Sequence, residues 1–250
     1  MDEAGEVLEG GNASGPVVRV GGTVRKSWTD HTSVVHAYLA LLRSHGVDVP
    51  EPMGVDDSGR QILEFVEGTN ALDQVPLALP DLQRIGEQIR RIHDVSELFP
   101  VSEVSDWSML LPATNPDLMC HNDLAPWNLI RGQRWVFIDW DGAGPSTRLW
   151  DLAYAAQSFA TLVAGEPVEA ASTRLRAFVD GYRADPALRA ALPGAMSART
   201  AAMFDLLHRS HRDGTQPWAD MFSAGHGDFW RTAHEYVEQN RSAWKKALSD

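Results

Sequence analysis

The chain has a single cysteine, Cys120, which excludes an internal disulfide and a cysteine-built zinc cluster. Long apolar runs are missing as well. No stretch approaches the roughly 20 consecutive apolar residues that cross a bilayer, so no membrane partner is expected. The first residues, Met1-Asp2-Glu3-Ala4-Gly5-Glu6, are acidic and lack a basic segment ahead of an apolar one. They do not read as a secretory leader, and a cytoplasmic protein is expected. Positive charge is scarce: 22 Lys and Arg stand against 34 Asp and Glu, a formal net charge of −12. A nucleic-acid partner demands a basic surface and is not expected. An anionic ligand would need local positive charge from a metal ion, a few basic side chains or backbone N–H groups. Solubility alone accounts for an acidic surface, but the acidity also leans toward a cationic small-molecule ligand.

What is present is enough chain, 250 residues, for one large domain or two small lobes around a cleft. Short β-rich runs joined by glycine-rich turns fill the first part, and they suggest a small antiparallel sheet. A helix is expected over residues 33–44, with Val34, Val35, Tyr38, Leu41 and Leu42 at helical spacing and Gly46 as a left-handed cap. Two more strands follow around Asp56-Asp57-Ser58-Gly59. After Glu67-Gly68-Thr69 the pattern turns helical, with helices expected over 82–93, 151–164, 167–183, 197–211 and 229–248 and a β-rich insertion over 118–141. The chain therefore divides into a lobe over 1–67 and a lobe over 69–250, joined near 63–68. A cleft between lobes is a common place for a ligand.

The chemistry concentrates in His121-Asn122-Asp123-Leu124-Ala125-Pro126-Trp127-Asn128, followed by the apolar run Trp135-Val136-Phe137-Ile138 and then Asp139-Trp140-Asp141. Asp123 is placed to accept the proton of an attacking hydroxyl. Asn128 offers a neutral oxygen, and Asp139 a carboxylate, to one divalent ion. Mg²⁺ prefers such hard oxygen donors and keeps part of its shell for water and phosphate. Singly, these residues would read as turn and capping groups. In this order, with an apolar strand on each side, they read as a phosphoryl-transfer site.

These two segments resemble the catalytic loop and metal motif of the aminoglycoside phosphotransferase family, which shares its protein-kinase-like fold with choline kinases. Asn122 stands where protein kinases carry Arg or Lys, and Asp139-Trp140-Asp141 stands in place of Asp-Phe-Gly. The resemblance implies an α+β fold with a small antiparallel-sheet N-lobe and a larger, mainly helical C-lobe. It implies ATP or GTP and Mg²⁺ as cofactors, and a hydroxylated small molecule as acceptor. Aminoglycosides, macrolides, nucleoside antibiotics, choline-like amines and sugars all fit. Asp123 is then the catalytic base, Asn128 and Asp139 are the Mg²⁺ ligands, and His121 braces the loop. Asp141 is a weaker metal or substrate candidate, and Trp127 is placed to touch the acceptor. Asp151 is expected to cap its helix and to hold the catalytic loop.

In the N-lobe, Asn12 and Ser14 lie in a glycine-rich turn that resembles the phosphate-covering loop. Lys26 is the candidate phosphate-binding lysine. Arg25 competes with it, because a shift of one residue along a strand exchanges the faces. The helix over 33–44 has no Glu or Asp to pair with that lysine, which leaves Asp30 as a partner or the contact reduced. Glu64, Phe65 and Val66 resemble the hinge that receives the adenine. Asp205, Asp213, Asp220, Asp228 and Glu235 are candidate acceptor-binding acids, because related antibiotic kinases hold ammonium groups with C-terminal acids. Two other readings use the same residues: a nucleotide-binding pseudokinase without turnover, and a metal-dependent phosphohydrolase that needs no acceptor.

Overall fold

A computed structural model describes residues 5–8 and 15–249. Strands β1 (Glu6–Leu8), β2 (Val17–Val20) and β3 (Thr23–Ser27) are followed by helix α1 (Thr32–Ser44), then strands β4 (Pro52–Val55) and β5 (Arg60–Glu64). The five strands form one antiparallel sheet in the order β1-β2-β3-β5-β4. In the β3–β5 pair, Lys26 lies opposite Gln61 and Arg25 opposite Ile62. Helix α1 ends as expected at Gly46, whose φ is +74°. The Gly46 N–H donates to the Arg43 carbonyl and the Val47 N–H to the Leu42 carbonyl, a Schellman closure that only a left-handed residue permits without strain. Val35, Tyr38, Leu39 and Leu42 form the buried face of α1.

Strand β6 (Thr69–Asn70) and helix α2 (Leu79–Ser96) begin the second lobe. Four further short strands follow: β7 (Leu118–Cys120), β8 (Leu129–Arg131), β9 (Trp135–Phe137) and β10 (Gly144–Ser146). They form two small antiparallel sheets, β10-β7 and β6-β8-β9. The rest is helical: α3 (Arg148–Phe159), α4 (Val168–Tyr182), α5 (Pro186–Asp213), the short α6 (Trp218–Met221), α7 (Gly227–Gln239) and α8 (Arg241–Leu248). This is the α+β arrangement expected, with a small sheet lobe and a larger helical lobe.

Three boundaries differ from expectation. Helix α5 starts at Pro186 rather than near 197, because the Asp185 side chain caps the Leu188 N–H at 2.8 Å and proline suits the first helical turn. Pro193 then lies inside α5, where the burial of Leu192 and Met196 outweighs the lost backbone bond. The helix expected over 229–248 is divided at Asn240, whose φ and ψ of −105° and 17° are not helical. Helix α3 starts at Arg148 with Thr147 as its cap, so Asp151 lies in the first turn rather than at the cap.

The core runs across both lobes. Tyr38 on α1 is fully buried, and its hydroxyl meets Ser96 Oγ at 2.6 Å and donates to the Met119 carbonyl at 3.1 Å. One side chain thus ties α1 to α2 and to β7, the strand that leads into the catalytic-loop segment. Trp140, Phe137, Phe159 and Phe178 continue the core behind that strand. No helix among the described residues is long and apolar enough to cross a membrane.

Candidate active site

Strand β7 delivers His121 to the centre of the molecule, fully buried. Its Nε2 lies 3.1 Å from the Ile138 carbonyl, and the Asp123 N–H points at its Nδ1 at 3.3 Å. Those partners require the proton on Nε2: the ring donates on one side and accepts on the other. The imidazole also lies against Trp140, with ring centroids 4.4 Å apart. His121 therefore joins the loop that carries Asp123 to the segment that carries Asp139.

Asn122 takes the left-handed conformation, with φ of 66°. This turn sends its N–H to Asp151 Oδ1 at 2.8 Å, while its carbonyl accepts from Arg199 Nη2 at 3.3 Å. The Asn122 side-chain amide donates to the carbonyls of Gly142 and Gly144, each at 3.2 Å. Asp151 is buried, and its other oxygen lies 3.0 Å from His93 Nε2. His93 Nδ1 in turn lies 2.8 Å from the Tyr182 hydroxyl. His93, Cys120 and Asp151 offer donors within 4.8 Å of one another, all buried. The hydrogen bonds of His93 and Asp151 account for that grouping as support for the loop. Burial pushes the Cys120 thiol well above its usual range.

Asp123 and Asn128 face each other across the loop. The Asn128 amide donates to Asp123 Oδ2 at 2.7 Å and to the Asp123 carbonyl at 3.0 Å. No hydrogen bond among the described residues uses the Asn128 side-chain oxygen, so that atom is left for another ligand. Burial raises the Asp123 carboxyl above the ordinary aspartate value. The Asn128 hydrogen bond pulls it back only in part, and the Asp139 charge adds to the rise.

Asp139 also takes the left-handed conformation, with φ of 61°. Its Oδ1 lies 2.6 Å from Lys26 Nζ, and Asp141 Oδ2 lies 2.5 Å from the same ammonium. Lys26 is buried. Burial works against its charge, but the two carboxylates outweigh burial and lift its pKa above the ordinary lysine value. Arg25 points the other way along β3 and meets the Thr23 hydroxyl at 2.5 Å and Asp56 at 3.6 Å. Lys26, not Arg25, therefore faces the loops from the second lobe. Asp30 is exposed and makes no ion pair with Lys26; the lysine's carboxylate partners come from the other lobe. Burial lowers the His36 pKa, and the ring bonds Gln61 Oε1 at 3.2 Å. Gln61 donates to the Ser27 carbonyl at 3.0 Å and reaches Asp141 Oδ1 at 3.5 Å.

Asn12 and Ser14 lie outside the described residues. At the expected hinge, the Glu64 carboxylate is held by Arg134 at 2.7 Å, and the Phe65 ring lies 3.7 Å beneath the Arg19 guanidinium. The Phe65 N–H donates to the Gly22 carbonyl at 2.9 Å. The Val66 N–H has no acceptor among the described residues. Trp127 lies edge-on to Tyr154, and its carbonyl accepts from Asn70 at 2.7 Å.

The structure does not gather the five candidate acceptor-binding acids. All five are exposed. Asp213 pairs with its neighbour Arg212, and Asp220 accepts from Gln216. Asp228 and Glu235 both hold Arg231 on α7. Beside Ala125 and Tyr154 there is instead an apolar and aromatic cluster of Met203, Leu207, Trp230 and Ala233, with Trp127 and Phe222 packed against it.

The model of the phosphotransferase enzyme family matches residues 100–192. The match covers less than half of the chain. It spans the catalytic-loop motif, Asp139, Asp141 and Asp151, and it leaves Lys26 and the sheet outside. The similarity of the fold extends further. A choline/ethanolamine kinase family protein from Mesorhizobium loti is 18% identical at a TM-score of 0.66, covering 99% of this chain and 93% of that one. An amicoumacin kinase in complex with AMP-PNP, Ca²⁺ and its antibiotic is 15% identical at a TM-score of 0.67, covering 96% of this chain and 89% of that one. An aminoglycoside phosphotransferase from Streptomyces rimosus, in complex with ADP and streptomycin, is 16% identical at a TM-score of 0.51 over 73% of this chain and 86% of that one. No curated protein matches the chain. At these identities the phosphotransferase-like chains share the fold, and the chemistry rests on the site.

Proposed function

We propose that the protein is a small-molecule kinase that transfers the γ-phosphate of ATP or GTP to a hydroxyl of its acceptor. The observation that carries this reading is the pairing of Asn128 with Asp123 and of Lys26 with Asp139, on segments joined by the bond from the Ile138 N–H to the Asn128 carbonyl. The donor set suits Mg²⁺: the Asn128 side-chain oxygen has no hydrogen-bond partner among the described residues, and Asp139 and Asp141 add carboxylates. Asn128 and Asp139 would hold the ion, which, when bound, neutralises charge on the phosphate oxygens. Lys26 supplies a second positive charge to the phosphates from the sheet side. Asp123 accepts a hydrogen bond from the acceptor hydroxyl and orients it in line with the γ-phosphorus. Its raised proton affinity suits a group that takes up a proton as transfer proceeds. Positioning and charge neutralisation therefore do most of the work.

The lobes meet at residues 63–68, where the free Val66 N–H suits an adenine or guanine edge. On the acceptor side, aromatic rings next to Asp123 favour a molecule with an apolar body or a cation that stacks on rings. The antibiotics in the related complexes show that such folds take bulky acceptors. Antibiotic modification is therefore one role that fits.

The test is ADP release with MgATP and MgGTP across a panel of hydroxylated acceptors: choline, aminoglycosides, macrolides and nucleosides. Acceptor-dependent ADP release supports the kinase. Nucleotide binding without turnover for any acceptor supports the pseudokinase, and fast phosphate release without an acceptor supports the phosphohydrolase.

A further inference from the structure

Lys26 is 6% exposed, and helix α1 has no Asp or Glu to face it. Its counter-ions are Asp139, with Oδ1 at 2.6 Å, and Asp141, with Oδ2 at 2.5 Å. A buried ammonium stripped of its carboxylates is costly. What each of these two acids does when a divalent ion enters therefore decides what the lysine can do.

The two acids are set differently. Asp139 follows a segment bound to the catalytic loop: the Ile138 N–H donates to the Asn128 carbonyl at 2.8 Å, and His121 Nε2 donates to the Ile138 carbonyl at 3.1 Å. Asp141, two residues on, reaches the N-terminal sheet with both oxygens. Its Oδ2 meets Lys26, and its Oδ1 lies 3.5 Å from Gln61 Nε2. Lys26 and Gln61 are directly opposite each other in the β3–β5 register, so they stand side by side on one face of the sheet. Gln61 is 4% exposed and is itself fixed, by the Ser27 carbonyl at 3.0 Å and by His36 Nε2 at 3.2 Å. Asp141 thus straddles a cross-strand pair of the sheet, whereas Asp139 belongs with Asn128. An ammonium and a divalent cation on one carboxylate repel each other, so Lys26 must leave Asp139 before that carboxylate can serve an ion.

We propose that Asp141 is a positioning residue for Lys26: it is the lysine's standing counter-ion, which keeps the ammonium off Asp139 and directed at the phosphates, and so leaves Asp139 to the ion. The proposal rests on the reading of Asn128 and Asp139 as the ligands of Mg²⁺ and of Lys26 as the phosphate contact. It gives the two acids of Asp139-Trp140-Asp141 separate tasks, one toward each lobe.

The experiment is a double-mutant cycle on the full chain, with Asp141→Asn, which keeps the shape and removes the charge, and Lys26→Met. ATP binding is titrated by calorimetry at a series of Mg²⁺ concentrations, so no acceptor is needed. Asp141→Asn should raise the Mg²⁺ concentration at half-maximal binding about 10-fold, because Lys26 then competes for Asp139. In the Lys26→Met background the same substitution should change it by less than about 3-fold. In crystals of Asp141→Asn the ammonium should close on Asp139 alone. An equal rise in both backgrounds means that Asp141 serves the ion directly and overturns the proposal, as does an unchanged Mg²⁺ requirement in Asp141→Asn. If the cycle comes out as expected but wild type turns over no acceptor, Asp141 keeps its assignment and the kinase reading is the part that fails. A wild type that binds neither MgATP nor MgGTP overturns both.

Discussion

Lys26, on the third strand of the N-terminal sheet, closes a 2.5 Å ion pair with Asp141, on the turn that follows the last strand of the small C-lobe sheet. The same ammonium holds Asp139 at 2.6 Å. A lysine with no acidic partner on α1 thereby gains two from the other lobe. Lys26→Met should leave these carboxylates facing each other without a cation and weaken MgATP binding by about 10-fold or more, read by calorimetric titration. Arg25→Met, on the opposite face, should bind nucleotide as wild type does. Equal losses in the two variants would mean that the phosphate contact is not made by Lys26.

Asp123 and Asp139 lie on segments that His121 joins, but they should fail differently. Asp123→Ala should lower kcat by about 10²-fold or more with nucleotide affinity nearly unchanged, because the acceptor hydroxyl loses its orienting group. Asp139→Ala should abolish Mg²⁺-dependent nucleotide binding itself. Normal turnover in either variant refutes the assigned role.

Asp151 holds the catalytic loop from beneath, through the Asn122 N–H and His93. Asp151→Ala leaves both partners buried without an acceptor, at a cost of about 1–3 kcal/mol for each group left unpaired. The expected outcome is a clear drop in urea midpoint together with lost turnover. Thr147→Ala, which removes the true cap of α3, should cost about 1 kcal/mol and spare activity.

Asp94 on α2 receives two bonds from Arg90 and one from Arg148 of α3. Burial alone would raise its pKa, but these arginines outweigh it and hold the carboxyl below its ordinary value of 3.8. A depressed folded-state pKa contributes stability that is present above 3.8 and lost as pH falls through the lower folded value. Asp94→Asn should therefore melt below wild type at neutral pH, and the two melting curves should converge in acid. A difference that stays constant from pH 7 to pH 3 would contradict this linkage.

Much of the site was legible because its residues are local. The stretch from His121 to Asn128 and the apolar strand ending at Asp139 are close enough in sequence for spacing to suggest that they belong to one site. Turn chemistry was legible for the same reason: Gly46 closes α1 through bonds to residues within one helical turn. Helix limits were harder. Pro193 reads as a break, yet buried neighbours carry α5 through it, and Asn240 breaks a helix that composition alone would continue.

What spacing could not supply is any relation between distant segments. Tyr154 follows Asp151 by one helical turn, so its place near the loop had a signal in retrospect. Arg199 had only its position among Met196 and Met203 on a buried face. The sequence by itself determined the local elements, the metal-suited oxygen donors and the acidic surface, because hydrogen bonding within a turn and alternation along a strand are short-range. Tertiary structure decided that Lys26 rather than Arg25 faces the site and that its partners are Asp139 and Asp141. It also decided that Asp213, Asp220, Asp228 and Glu235 stay with their own arginines and glutamine. The outcome for Lys26 depends on strand register and on packing between lobes, which joins residues over a hundred positions apart.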